Sequence, residues 1–121
     1  MFRTFKDMPV WQTAIDIAEE IHRLTSKLPR SEDYGFTSQI RRSALSIAAN
    51  IAEAFGRNHK KDKIHFYHVA RGSLTETQSH LEYAKRVGYL DLQKVIMLDR
   101  QFTDLYNSIN KVIASLRDSK S

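Results

Sequence analysis

Apolar residues along this chain return every three or four positions and never settle into alternation, which is the helical period rather than the strand period. Val10, Ala14, Ile17, Ile21, Leu24 and Leu28 form a first stripe, opened by Pro9 at a first-turn position and stopped by Pro29. A short polar connection runs from Arg30 to Gly35. Ile40, Ala44, Ile47, Ala48, Ile51 and Phe55 form a second stripe, rich in alanine and closed by Gly56. Ile64, Tyr67, Ala70, Leu74, Leu81 and Ala84 line a third, closed by Gly88. Gly72 sits inside it at a cost of roughly 1 kcal/mol against alanine, which close packing on a neighbouring helix would explain. Asp91 reads as an N-cap for a fourth stripe of Leu92, Val95, Ile96, Phe102, Leu105, Ile109, Val112 and Leu116. The pattern predicts helices over residues 9–28, 36–55, 60–87 and 92–116, with a frayed tail from Arg117 to Ser121. The connections are short, so consecutive helices should be antiparallel neighbours in an all-α, up-down-up-down four-helix bundle.

With 121 residues, 41% of them hydrophobic, the chain makes one domain, residues 1–121, able to bury a core unaided. Cysteine is absent, which removes disulfides, thiolate metal sites and a cysteine nucleophile. Residues 1–9 carry no apolar signal core, and no stretch approaches the ~20 apolar residues of a membrane span. A cytoplasmic protein without membrane contact is expected. The formal charge of +5 favours polyanionic partners, though only modestly.

The chemistry of an enzyme is not visible. Glu19-x-x-His22 occurs once, whereas a ferritin-like metal bundle repeats that motif on two helices. His65 and His68 are one helical turn apart with no further ligand close in sequence, and they read as part of a basic face. Phosphate-binding glycine loops and a Gly-x-Ser-x-Gly elbow are absent. No catalytic residue, metal or cofactor is expected. Glu53 and Glu76 could be paired carboxylates across two helices, but each reads better as a partner for arginine.

Two polar concentrations remain. Gln39, Arg42 (or Arg41), Asn50, Glu53 and Arg57 recur at intervals that put several on one helix face, with Glu76 as a partner on the third helix. Such a ladder is either a structural network fixing register or a subunit interface, or a ligand or RNA site. The run Arg57-Asn58-His59-Lys60-Lys61-Asp62-Lys63 places cations at a helix start, where the helix dipole disfavours them. It is either a solvated charge run or a phosphate-binding surface, with His65, Phe66 and Tyr67 following directly.

The order of several motifs is specific. Val10-Trp11-Gln12, Leu28-Pro29, Tyr34-Gly35-Phe36-Thr37-Ser38-Gln39-Ile40-Arg41-Arg42-Ser43, Ser46-Ile47, Asn50-Ile51-Ala52-Glu53-Ala54, Arg57 and Ala70-Arg71-Gly72-Ser73-Leu74 with Glu76 succeed one another. In this the chain resembles the bacterial four-helix-bundle proteins encoded in intervening sequences of 23S ribosomal RNA genes, over nearly its whole length. It departs at Ala54, where the family usually has glycine, and at Gln78, where a second acidic residue would fall. The resemblance implies ring-like homopentamers. It also implies kinship with the accessory protein of diversity-generating retroelements, which joins a reverse transcriptase and binds nucleic acid. By that analogy Arg41, Arg42, Arg57, Lys60, Lys61 and Lys63 are the nucleic-acid-binding candidates. Gln39, Asn50, Glu53 and Glu76 are the structural or interface candidates.

The expected function is therefore a non-catalytic oligomeric module that binds RNA or other nucleic acid. The alternative is a protein-binding scaffold in which the polar ladder and exposed aromatics such as Trp11 and Phe2 mark partner contacts.

Overall fold

A computed structural model describes residues 1–119. Lys120 and Ser121, in the tail expected to fray, lie outside the described residues. Four helices account for most of the rest: α1 (Pro9–Thr25), α2 (Phe36–Gly56), α3 (Lys60–Arg86) and α4 (Leu92–Asp118). Short 3-10 turns precede α1 at Phe5–Asp7 and α2 at Arg30–Glu32. Among the described residues there is no strand, and no helix is long and apolar enough to cross a membrane. Each helix packs on its neighbours in sequence, and α1 closes the bundle against α4. The α2–α3 seam is the most extensive contact.

The apolar stripes meet in one core. Ile17, Ile21, Ile40, Ile47, Ile51, Leu74, Leu81, Leu98, Phe102, Leu105 and Ile109 are its large, fully buried members. Each of the aliphatic side chains contributes roughly 1.5–3 kcal/mol of transfer free energy on burial. Alanines 44, 48, 54, 70 and 84 are also buried and let the helix backbones approach.

The fourth stripe has a different phase from the one its hydrophobicity alone predicts. Val95, Leu98, Phe102, Leu105, Ile109 and Ile113 point inward, whereas Leu92 and Ile96 are exposed. Ile96 lies one residue, about 100° of helix, beyond Val95, which turns it off the centre of the core face and leaves it exposed. The helix also runs through Arg117 and Asp118, where fraying was expected.

Other boundaries differ for local reasons. α1 ends at Thr25, before Pro29 can act. The Thr25 hydroxyl donates to the Ile21 carbonyl at 2.7 Å and Ser26 Oγ to the His22 carbonyl at 2.8 Å. Asp91 precedes α4, but its side chain makes no capping bond; its carbonyl accepts the Val95 amide at 3.1 Å. Gly72 is exposed, and a Cβ there would meet nothing within 4 Å, so close packing inside the bundle is not its reason. Trp11 is half-buried rather than exposed, with Phe5 edge-on at 5.0 Å between ring centroids.

Candidate functional site

The polar ladder is a seam between α2 and α3. Ser43 and Thr77 are buried at its centre, where Thr77 Oγ1 donates to Ser43 Oγ at 2.9 Å. One turn along, the hydroxyls of Ser46 and Ser73 lie 2.9 Å apart, and Asn50 Nδ2 donates to the Ser46 carbonyl at 2.8 Å and to its Oγ at 3.0 Å. Toward solvent, Arg42 pairs with Glu76 and donates to Gln39 Oε1 at 3.3 Å. His80 Nε2 lies 3.4 Å from the same Glu76 carboxylate. Glu53 pairs within its own helix with Arg57 at 2.8 Å, and the Arg57 guanidinium lies over the Phe66 ring at 4.6 Å. The two glutamates thus each take an arginine rather than facing each other. Sequence reasoning found the charged members but missed the four hydroxyls. Small polar residues in alanine-rich helix could have been noticed only by asking which helix they face.

Two of the candidate cations close helix ends. Arg41 reaches from α2 to the C-terminus of α1, donating to Thr25 Oγ1 at 2.9 Å, the His22 carbonyl at 3.2 Å and Ser26 Oγ at 3.3 Å. Lys63 reaches from α3 to the C-terminus of α2, donating to the carbonyls of Ala54 at 3.2 Å and Phe55 at 3.0 Å. A cation at a helix C-terminus satisfies open carbonyls and the negative end of the dipole, for about 0.3–1 kcal/mol. Lys60 donates to the Ser119 carbonyl at 2.6 Å. Lys61 is exposed and makes no hydrogen bond or ion pair among the described residues.

The antiparallel topology gathers charge at one end of the bundle. The start of α1, the α2–α3 turn and the end of α4 share this pole. Arg3, Lys6, Arg57, Lys60, Lys61, Lys63, Lys111 and Arg117 stand there against Asp7, Glu53, Asp62 and Asp118. At the opposite pole Arg23, Lys27, Arg30, Arg41, Arg42, Lys85, Arg86, Lys94 and Arg100 stand against Glu20, Glu32, Asp33, Glu76, Glu82, Asp91 and Asp99, a smaller excess of cations. Lys111, like Lys61, is exposed and unpaired among the described residues.

The histidine pair is drawn into other contacts. His65 stacks edge-on against Phe66 with ring centroids 5.0 Å apart, and His68 Nδ1 lies 2.9 Å from Arg71. Arg71 also donates to Asn110 Oδ1 at 2.7 Å, tying α3 to α4, a role the sequence did not reveal. Among the described residues no three His, Asp or Glu side chains converge as a metal site would need.

Comparison with known proteins agrees with the architecture. The model of the 23S rRNA-intervening sequence proteins matches residues 6–115. A crystal structure of a protein of unknown function from the S23 ribosomal protein family of Bacteroides thetaiotaomicron is similar in fold. Its TM-score is 0.77 at 23% identity, over 86% of this chain and 97% of that one. No curated protein matches the chain.

Proposed function

The chain belongs to the 23S rRNA-intervening sequence protein family, and from that premise we propose that it is a non-catalytic, self-assembling module that binds RNA through the basic pole. The observation that carries this reading is the concentration of cations at one end of an otherwise nearly neutral bundle. Phosphate neutralisation with counterion release is what such a surface does best. Of the six candidates, Lys60 and Lys61 are best placed for it, because they sit in the first turn of α3, where the helix dipole disfavours a cation. Lys60 has one internal partner, the Ser119 carbonyl at the end of α4, whereas Lys61 has none among the described residues, so helix stability does not account for Lys61. Arg57 presents its guanidinium on an aromatic ring, an arrangement that also accepts a stacked base. Lys63 holds a helix end and would add field rather than direct contacts, whereas Arg41 and Arg42 lie toward the opposite end of α2 and are no part of this surface.

Fluorescence anisotropy of labelled single-stranded and duplex RNA, titrated at several salt concentrations, tests this. Binding should weaken linearly in log–log form with salt, with a slope of about −0.7 per phosphate contact on a single strand. The Lys60→Glu/Lys61→Glu variant should bind at least about tenfold more weakly. Absence of binding at low salt would make the pole a solvated surface.

One observation favours a second reading, a protein-binding scaffold. Gly72 weakens the middle of a long helix by roughly 1 kcal/mol, with open space where its side chain would be. A backbone approached closely by another chain explains that choice, and exposed Val69 lies one turn away. Self-assembly, into the pentameric ring that the resemblance implies, is the simplest such contact. Gly72→Ala should then raise monomer stability by up to about 1 kcal/mol while lowering the assembled mass measured by light scattering. An unchanged mass would remove Gly72 from any interface.

A further inference from the structure

The basic pole also holds a groove that the charge argument does not use. It encloses about 550 Å3 between α2, α3, α4 and the segment leading into α1. Its wall is mostly apolar, with Met1, Phe2, Phe55, Val112 and Leu116 on it and the buried Met8 and Tyr67 behind. That volume lies within the range of ligand pockets, which are mostly apolar with a few placed polar groups.

Two features of the wall are unlike ordinary core. Tyr67 is 97% buried by its 3% exposure, yet its hydroxyl has only the Met8 thioether, at 3.8 Å, as partner. Sulfur is a weak acceptor, so the phenol is left poorly satisfied in a buried position, where a lost hydrogen bond is costly. The second feature is cationic. Lys63 and Lys111 both border the groove. The Lys63 ammonium is fixed by two carbonyls, which leaves one of its three protons undirected. Lys111 is exposed and unpaired among the described residues. An apolar trough with cations on its border is complementary to a chain that is apolar along its length and anionic at its end.

We propose that this groove binds a single-chain anionic amphiphile, a free long-chain carboxylate, with the hydrocarbon against Phe55, Val112 and Leu116 and the carboxylate at Lys63 and Lys111. The Tyr67 hydroxyl supplies a buried donor along the same wall. Attraction to the carboxylate comes from charge–charge interaction and charge-assisted hydrogen bonds, and retention comes from burial of the chain. The groove shares Lys63 and Lys111 with the basic pole, but its titrations contain no RNA, so either reading can fail without the other.

Isothermal titration calorimetry of the full chain with dodecanoate, kept below its micelle concentration, tests the assignment. Dodecyl maltoside and dodecyltrimethylammonium serve as neutral and cationic chains, and acetate as the head alone. Saturable one-to-one binding of dodecanoate is expected, with the neutral and cationic chains at least about fivefold weaker and acetate silent. Lys111→Glu touches nothing in the fold and should weaken dodecanoate by about fivefold or more. Val112→Trp, which fills the trough, should abolish binding; the ligand series on the unaltered protein keeps the test decisive if that variant does not fold. Equal binding of all three chains, no saturable heat with dodecanoate, or full affinity in Lys111→Glu would each overturn the proposal.

Discussion

The two poles of the bundle are built from the same kinds of residue and end up as opposites. At the pole where α1 passes to α2 and α3 to α4, a carboxylate and several aromatic side chains are tied to one another, although Thr37 Oγ1 nearby is buried without a hydrogen-bond partner. The Tyr89 hydroxyl donates to Glu32 Oε2 at 2.6 Å, and Glu32 Oε1 accepts the Phe36 amide at 3.2 Å, so one carboxylate caps α2 and anchors the opposite loop. That pair of hydrogen bonds holds the Glu32 carboxyl below the usual carboxylate range and pushes the Tyr89 phenol up. A Cβ on Gly35 would lie 2.9 Å from Glu32 Oε1, so a larger residue there would push the carboxylate off the α2 N-terminus. Phe36 packs against Tyr83 and Tyr89 with ring centroids 5.5 and 5.6 Å away, and His80 meets it edge-on at 6.2 Å. α3 ends on Gly88 at φ +78°, with the Tyr89 amide bonded to the Ala84 carbonyl at 2.8 Å, a Schellman closure that delivers Tyr89 to the cluster.

The basic pole is tied together less. It carries the larger excess of cations over carboxylates and keeps an apolar groove open beside a buried phenol that burial pushes up to about 12, while Lys61 and Lys111 here, like Lys27, Arg30, Lys94 and Arg100 at the other end, make no ion pair among the described residues. The contrast is that one end ties its loops together through Glu32, Phe36 and Tyr89, while the other carries the larger cation excess and the apolar groove.

The largest expected effect comes from breaking the closed pole. Phe36→Ala removes the ring around which Tyr83, Tyr89 and His80 are arranged. It should cost roughly 3 kcal/mol, at the lower end for a large aromatic because Phe36 is half-buried. Denaturant unfolding followed by circular dichroism measures the loss. RNA affinity, read under conditions where the variant is folded, should stay within about twofold of the parent chain. A large loss of affinity would show that the two poles are not separate in function.

How far this division was legible in the sequence depends on the range of each interaction. Helix identity and the order around the bundle followed from period and connection length, because burial at i, i+3 and i+4 is written locally. Glu76 was legible as a partner for an arginine of α2, with Arg42 or Arg41 on the polar ladder, and the fold selects Arg42. The Ser43–Thr77 and Ser46–Ser73 contacts were not, because a serine in a helix reads the same whether it faces water or another hydroxyl. α4 was misread at Leu92 and Ile96, since hydropathy cannot separate an exposed isoleucine from a buried one a third of a turn away. The basic run was visible as composition, but its separation into Lys63, Lys60 and Lys61 depends on which carbonyls the fold places nearby.

That separation gives the sharpest and smallest of the tests. Lys61 and Lys63 are two residues apart on the same first turn, with the same charge, and a sequence-level argument treats them alike. Lys63 lies against the last carbonyls of α2 and crosses the Phe55 ring at 5.8 Å, whereas Lys61 makes no hydrogen bond, ion pair or ring contact among the described residues. Lys63→Ala should therefore lower stability by up to about 1 kcal/mol, because it uncovers a helix C-terminus. Lys61→Ala should leave stability within about 0.5 kcal/mol of the parent, as exposed substitutions do, and should instead flatten the salt dependence of RNA binding by about one phosphate contact. Paired urea titrations and paired RNA titrations of the two variants read both quantities. If Lys61→Ala destabilises as much as Lys63→Ala, or leaves the salt slope untouched, position on the helix rather than the presence of an internal partner decides what a cation at this pole does. The division between structural and presented charge then fails at the residue where it is most exposed to refutation.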